Sequence, residues 1–202
     1  DSIIKLRDSL SAKYPNTQIY AVGGPLFEKA SLEAREADNS LYAIAFCLGL
    51  ALFWICLKSF SFSIALLSIA AATFGATLGT YGWLGIPLNQ ISALGPLVVV
   101  VVAIADGIHI LAAYVQGLHQ GLAKLDSMRK SLEINLRPIT LATITTAMGF
   151  LSLNYSSSPG IYGFGNLVAI GVCWAYVISV FLLPSLILLL PTKTIPRPLV
   201  VK

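Results

Sequence analysis

Asp106 and His109 stand three residues apart, a spacing that puts a carboxylate and an imidazole on one face of a helix. They lie within Leu94-Gly-Pro-Leu-Val-Val-Val-Val-Val-Ala-Ile-Ala-Asp-Gly-Ile-His-Ile-Leu-Ala-Ala-Tyr114, where Asp106 is the only formal charge. An isolated ion on a membrane-spanning helix costs roughly 3 to 17 kcal/mol. Burial penalises the charged form of acid and base alike, so such a pair can exchange a proton at modest cost. The functional reading is a protonation switch; the alternative is a polar group that secures a neighbouring helix.

A second set of groups could serve that switch. Thr140, Thr143, Thr145 and Thr146 cluster in a later apolar run. A Thr hydroxyl can bond a carboxylate in either protonation state, or its own backbone four residues back. Asp106 lies about ten residues, roughly 15 Å, from the end of its helix. The same distance along the next helix, started near Pro138, falls near Thr145 to Met148, which makes Thr143 and Thr146 the candidate partners. Gly75-Ala-Thr-Leu-Gly79 is a GxxxG that permits close helix packing.

Enzymatic readings find little support. An aspartyl protease within the membrane needs two carboxylates, and the apolar runs hold one. A metal site on Asp106 and His109 lacks a third ligand at a sensible depth, because His119 is past the helix end. There is no GxSxG, P-loop or GxGxxG. The sequence thus predicts no enzyme and no cofactor, with protons as coupling ion, and no nucleic-acid partner.

The elements that must hold these groups are set by the solvent. Hydrophobic residues make up 56% of the chain and charged ones 11%, and the mean hydropathy is +0.81. Soluble domains carry about twice that share of charge, so the lipid bilayer is the medium for most of the chain. Five apolar runs, 41–57, 60–84, 91–115, 139–155 and 161–190, are each long enough to cross about 30 Å of hydrocarbon, and Pro184 is a bend point in the last. Gly85-Ile-Pro87 and Ser158-Pro-Gly160 break the sequence between them.

Lys58, the set Lys124, Arg129, Lys130 and Arg137, and the set Lys193, Arg197 and Lys202 follow alternate runs, opposed only by Asp126 and Glu133. The intervening connections are uncharged. Basic residues stay in the cytoplasm, which predicts residues 1–40 outside and the tail, 191–202, inside. Residues 116–138 read as an amphipathic cytoplasmic connector on the stripe Leu118, Leu122, Leu125, Met128 and Leu132, or as a plain helical hairpin. Residues 1–40 carry a near-neutral soluble balance: a helix on Ile3, Leu6 and Leu10, a strand over Thr17 to Val22, and a second helix after Gly24-Pro25. They are too small to bury a core alone, and the chain starts at Asp1 without Met, so the expectation is the tail of a larger α+β domain. Cys47, Cys56 and Cys173 have no disulfide or metal spacing.

Three stretches carry a resemblance to a known family: Ala105-Asp-Gly-Ile-His-Ile-Leu111; Arg137-Pro-Ile-Thr-Leu-Ala-Thr-Ile-Thr-Thr-Ala-Met-Gly-Phe-Leu-Ser-Leu153; and Gly165-Asn-Leu-Val-Ala-Ile-Gly171 with Leu183-Pro184. Residues 85–190 resemble the resistance-nodulation-division (RND) superfamily, in particular its MmpL-like, hydrophobe/amphiphile exporter branch. The resemblance implies an all-α membrane protein: five transmembrane helices, spans two to six of one RND-type half, behind a remnant of an extracytoplasmic porter domain. It also implies proton-driven export of hydrophobic or amphiphilic compounds or lipids across a bacterial-type inner membrane. Asp106 would be the titrating acid, with Thr143 or Thr146 assisting. The partners would be a second half of the same protein and, in one arrangement, further copies. Relatives often have Gly where this chain has Val102, and Tyr where it has Gly107. The alternative is a lipid-binding or scaffolding module resembling sterol-sensing domains.

Overall fold

A computed structural model of the chain describes residues 2–14, 23, 44, 48, 51, 59–89 and 91–189. Two compact units, residues 1–51 and 52–202, are treated separately. The first contains α1 (Ser2–Lys13). Ser9 Oγ donates to the Leu6 carbonyl at 2.8 Å, and Lys13 Nζ lies 5.8 Å above the Tyr14 ring. The strand expected over Thr17 to Val22, the helix after Gly24-Pro25, nearly all of the run 41–57 and the tail 191–202 fall outside the described residues. Among the described residues every regular element is helical.

The second unit contains α2 (Phe60–Trp83), a 3-10 turn (Ser92–Leu94) running into α3 (Gly95–His119), and α4 (Lys124–Leu151) with a 3-10 turn (Ser152–Tyr155). It closes with α5 (Pro159–Val177), a π turn (Ile178–Leu182) and α6 (Leu183–Leu189). Four stretches, Phe60–Trp83, Ser92–His119, Lys124–Tyr155 and Pro159–Leu189, are long and apolar enough to cross a membrane, with mean hydropathies of 1.7, 2.3, 1.2 and 2.3. Hydrocarbon offers the backbone no hydrogen bonds, so apolar chain in it must satisfy its own amides along a helix.

Residues 116–138 divide between two helices. The first of them finish α3, Gly121 turns the chain at φ 83°, and α4 then runs unbroken through Pro138. Ser127 Oγ donates to the Tyr114 carbonyl and Ser131 Oγ to the Ile110 carbonyl, both at 2.6 Å, which ties the start of α4 to α3. The last run departs from a simple kink. Pro184 cannot donate to Val180 and its ring crowds that carbonyl; the chain widens into a π turn immediately before it, a common resolution of such crowding.

Helix α3 is the central column, packed against α2, α4 and α5. One apolar cluster joins Phe62, Leu66 and Ile69 of α2 to Ile110, Leu111 and Tyr114 of α3 and to Leu183 and Ile187 of α6. Within it, Phe62 and Tyr114 meet edge to face with centroids 6.1 Å apart. Val99, Val168 and Val172 form a second cluster, against which Val98, Val102, Ala147 and Phe150 pack. Gly75 and Gly79, by contrast, are exposed, and a methyl group on either would meet nothing within 4 Å. The GxxxG therefore packs against no other described helix.

At the end of the bundle where α2 finishes, exposed Trp83, Tyr155 and Tyr162 form a rim of the kind found at membrane interfaces. Polar groups bind the connections there. Tyr81 Oη donates to the Gly163 carbonyl at 3.0 Å, Asn89 Nδ2 to the Pro159 carbonyl at 3.3 Å, and Asn154 pairs with Asn166.

Gly107 is where three helices close on one another. A Cβ there would stand 2.6 Å from Leu66 Cδ2, 2.8 Å from Ile69 Cδ1 and 3.5 Å from Leu183 Cδ2. A Tyr at this position is incompatible with that packing. Gly107→Ala is expected to lower stability by about 1–3 kcal/mol, the usual cost of overpacking. Thermal unfolding of the detergent-solubilised protein measures this, with Gly75→Ala as the control that should change little.

Candidate functional site

Asp106 occupies the middle of α3, and only 8% of its surface is exposed. Its Oδ2 is buried and has no hydrogen-bond partner. A buried polar atom left unpaired is uncommon and costs free energy on the order of a lost hydrogen bond. His109, one turn on, lies on the exposed face of α3, and neither a hydrogen bond nor an ion pair joins it to Asp106 among the described residues.

The hydroxyl-bearing helix meets α3 in a definite register. Ser131 bonds the Ile110 carbonyl, so one turn from Ile110 to Asp106 corresponds to one turn from Ser131 to Asn135 on the antiparallel α4. The level of the acid thus falls near Asn135 to Ile139. Thr143 is buried and Thr146 half-buried, and they stand about one to two and two to three turns beyond that level. No hydrogen bond connects either to Asp106 among the described residues. Depth counted from Pro138 differs from depth along the helix itself, which begins at Lys124. Thr140 is nearer in level and is already engaged, donating to the Leu136 carbonyl at 2.7 Å and meeting Tyr176 Oη at 3.0 Å.

Besides the Tyr114 hydroxyl, which is also buried and unpartnered, two aliphatic hydroxyls stand out. Thr73 and Ser179 are fully buried, and each has an unpartnered hydroxyl oxygen. This sets them apart from Ser63, Ser68, Thr77, Thr80, Thr145 and Ser185, which all donate to the carbonyl four residues back. Ser179 belongs to the π turn, a local form often found at functional positions. Nothing in the sequence distinguishes Thr73 from Thr77. For Ser179, the one available signal is a position five residues before Pro184.

An open apolar groove of about 400 Å³ runs between α4 and α5, lined by Ala147, Leu151, Ile170, Cys173 and Trp174 among others. Trp174 reaches back through Nε1 to Thr80 Oγ1 at 2.9 Å.

Apolar helices closing on a mid-helix acid define an integral membrane protein. The family model for the MMPL family matches residues 1–199, and the chain belongs to that family. It is also similar to a Methanocaldococcus jannaschii protein named "Putative membrane protein MJ1562", at 25% identity over 177 residues. That match covers 87% of this chain and 45% of the relative, so the chain spans about half the length of the curated protein it matches.

If the α4–α5 groove faces hydrocarbon, Cys173 is reached from lipid rather than from water. In a variant with Cys47 and Cys56 changed to Ser, membrane-embedded Cys173 should react readily with an apolar maleimide. A charged, water-borne reagent should label it only after detergent extraction, as read by mass spectrometry.

Proposed function

We propose that this chain is one half of a proton-coupled membrane transporter that moves hydrophobic or amphiphilic molecules or lipids, with Asp106 as the group that gains and loses the proton. The observation that carries the reading is the unpaired, buried carboxylate oxygen halfway along an apolar spanning helix. Membership of the MMPL family supports a transporter-like module, and the relative's greater length leaves room for a second half.

The energetics follow from that placement. One elementary charge moving through the membrane potential yields about 2.3 kcal/mol per 100 mV. Protonating Asp106 removes its desolvation penalty, so the state with α3 tightly wrapped by α2, α5 and α6 favours the protonated acid. An ionised acid favours a state in which water or a partner reaches it. Proton binding then biases a two-state packing equilibrium, as a coupling ion must. The basic residues Lys124, Arg129 and Lys130 gather at the Gly121 end of the bundle, which supports that end as the cytoplasmic one.

Asp106→Asn keeps the shape of the acid and removes its titration. In the full-length protein reconstituted into vesicles, this variant should lose transport of a fluorescent amphiphile driven by a pH gradient, by roughly a hundredfold or more if the step depends on proton transfer. Folding, followed by thermal melting, should be retained. Undiminished gradient-driven transport in Asp106→Asn removes the relay, and leaves a packing role for the residue.

A further inference from the structure

We infer that Thr73 and Ser179 form, with Asp106, a polar layer that holds internal water and passes the proton to the acid between α2, α3 and the π turn. This rests on the reading of Asp106 as a titrating group and adds the route by which its proton arrives. The position follows from Gly107, the residue after the acid. Ile69 of α2 and Leu183 of α6 both close on Gly107. Thr73 is one turn beyond Ile69, and Ser179 is one turn before Leu183. Because α2 runs antiparallel to α3 and the last crossing runs parallel to it, both steps lead towards the same end of α3. They bring the two hydroxyls to a common level, about one turn from Gly107. The π turn that carries Ser179 packs against both α2 and α3.

The chemistry favours water at this level. Both hydroxyls forgo the usual bond to the carbonyl four residues back, so each keeps a donor and its acceptor lone pairs for another group. The carboxylate Oδ2 offers acceptors only when ionised, and a donor when protonated. Water is the species that can satisfy a hydroxyl donor, a hydroxyl acceptor and a carboxyl group in both of its states, and buried waters typically bridge such otherwise unpaired groups. In the proposed step, a water hydrogen-bonded to Ser179 or Thr73 gives its proton to Asp106 as it takes another from the next donor, so charge and atoms balance at every link.

Infrared spectroscopy of the full-length protein in vesicles tests this through hydrogen–deuterium exchange at the carboxyl group. The Asp106 band is the one that Asp106→Asn removes, and it is followed at a pH where it is present. Thr73→Val and Ser179→Ala should slow its exchange after transfer to D2O by about tenfold or more, the scale of losing one buried hydrogen-bonding group. Thr73→Ser, which restores the hydroxyl, should recover the wild-type rate. Exchange that is unchanged in both hydroxyl-deleting variants, or that Thr73→Ser slows as much as Thr73→Val, overturns the inference while leaving Asp106 as the relay. If no carboxyl band is lost in Asp106→Asn at any pH, the relay itself falls, and the polar layer with it.

Discussion

The close wrapping of α3 at Gly107 is the constraint on which the rest of this unit depends. Without a side chain there, Leu66, Ile69 and Leu183 reach the α3 backbone and exclude lipid from one side of the neighbouring carboxylate. A charge in hydrocarbon is costly, and a charge held by packed protein can instead be solvated by a few fixed groups. The packing residues are ordinary Leu and Ile, and what singles them out is that they converge on the residue after the acid. Phe62 against Tyr114, and Ile187 below Leu183, extend the same seal towards the Gly121 end.

The helices contribute unequally. α3 is enclosed on three sides, while α4 meets the bundle along one side and leaves Leu141, Ile144 and Met148 open. A helix that is apolar on its outer face as well as its inner one is stable only where the surrounding medium is apolar. The exposed side of α4 is therefore as much an argument for the bilayer as the hydropathy of α3. Beside apolar residues such as Met128 and Ile139, small hydroxyls bonded to backbone bind α4 inward, in keeping with the small polar contacts that hold membrane helices together.

Much of this was legible in the sequence. The apolar runs over α2, α3 and the last crossing mark those helices to within a few residues, because length and hydropathy suffice to specify a span. Asp106 is conspicuous as a lone charge, and its burial follows from its surroundings. The family likewise shows in the residues around the acid and in the Thr-rich stretch. What composition cannot convey is register. Ser127 and Ser131 bond carbonyls on α3, and that contact fixes how α4 lies along it. The unpaired state of Thr73 and Ser179 is equally invisible, since it turns on side-chain orientation and on a π turn that local sequence announces only through Pro184. The GxxxG is a case of the same kind: small residues permit close approach, and among the described residues no neighbour uses it.

The seam between α3 and α4 has one more property. Ser127 and Ser131 are four residues apart, and so are the carbonyls they address, Tyr114 and Ile110. Any shift by a whole helical turn would offer the same two hydroxyls a new pair of carbonyls at the same spacing, so these bonds fasten the hairpin without numbering its rungs. The index is Gly117, which is bare where Ser127 comes against it; a side chain of any size would block that seat. The hairpin is thus glued by groups that recognise any backbone and keyed by a single missing methyl.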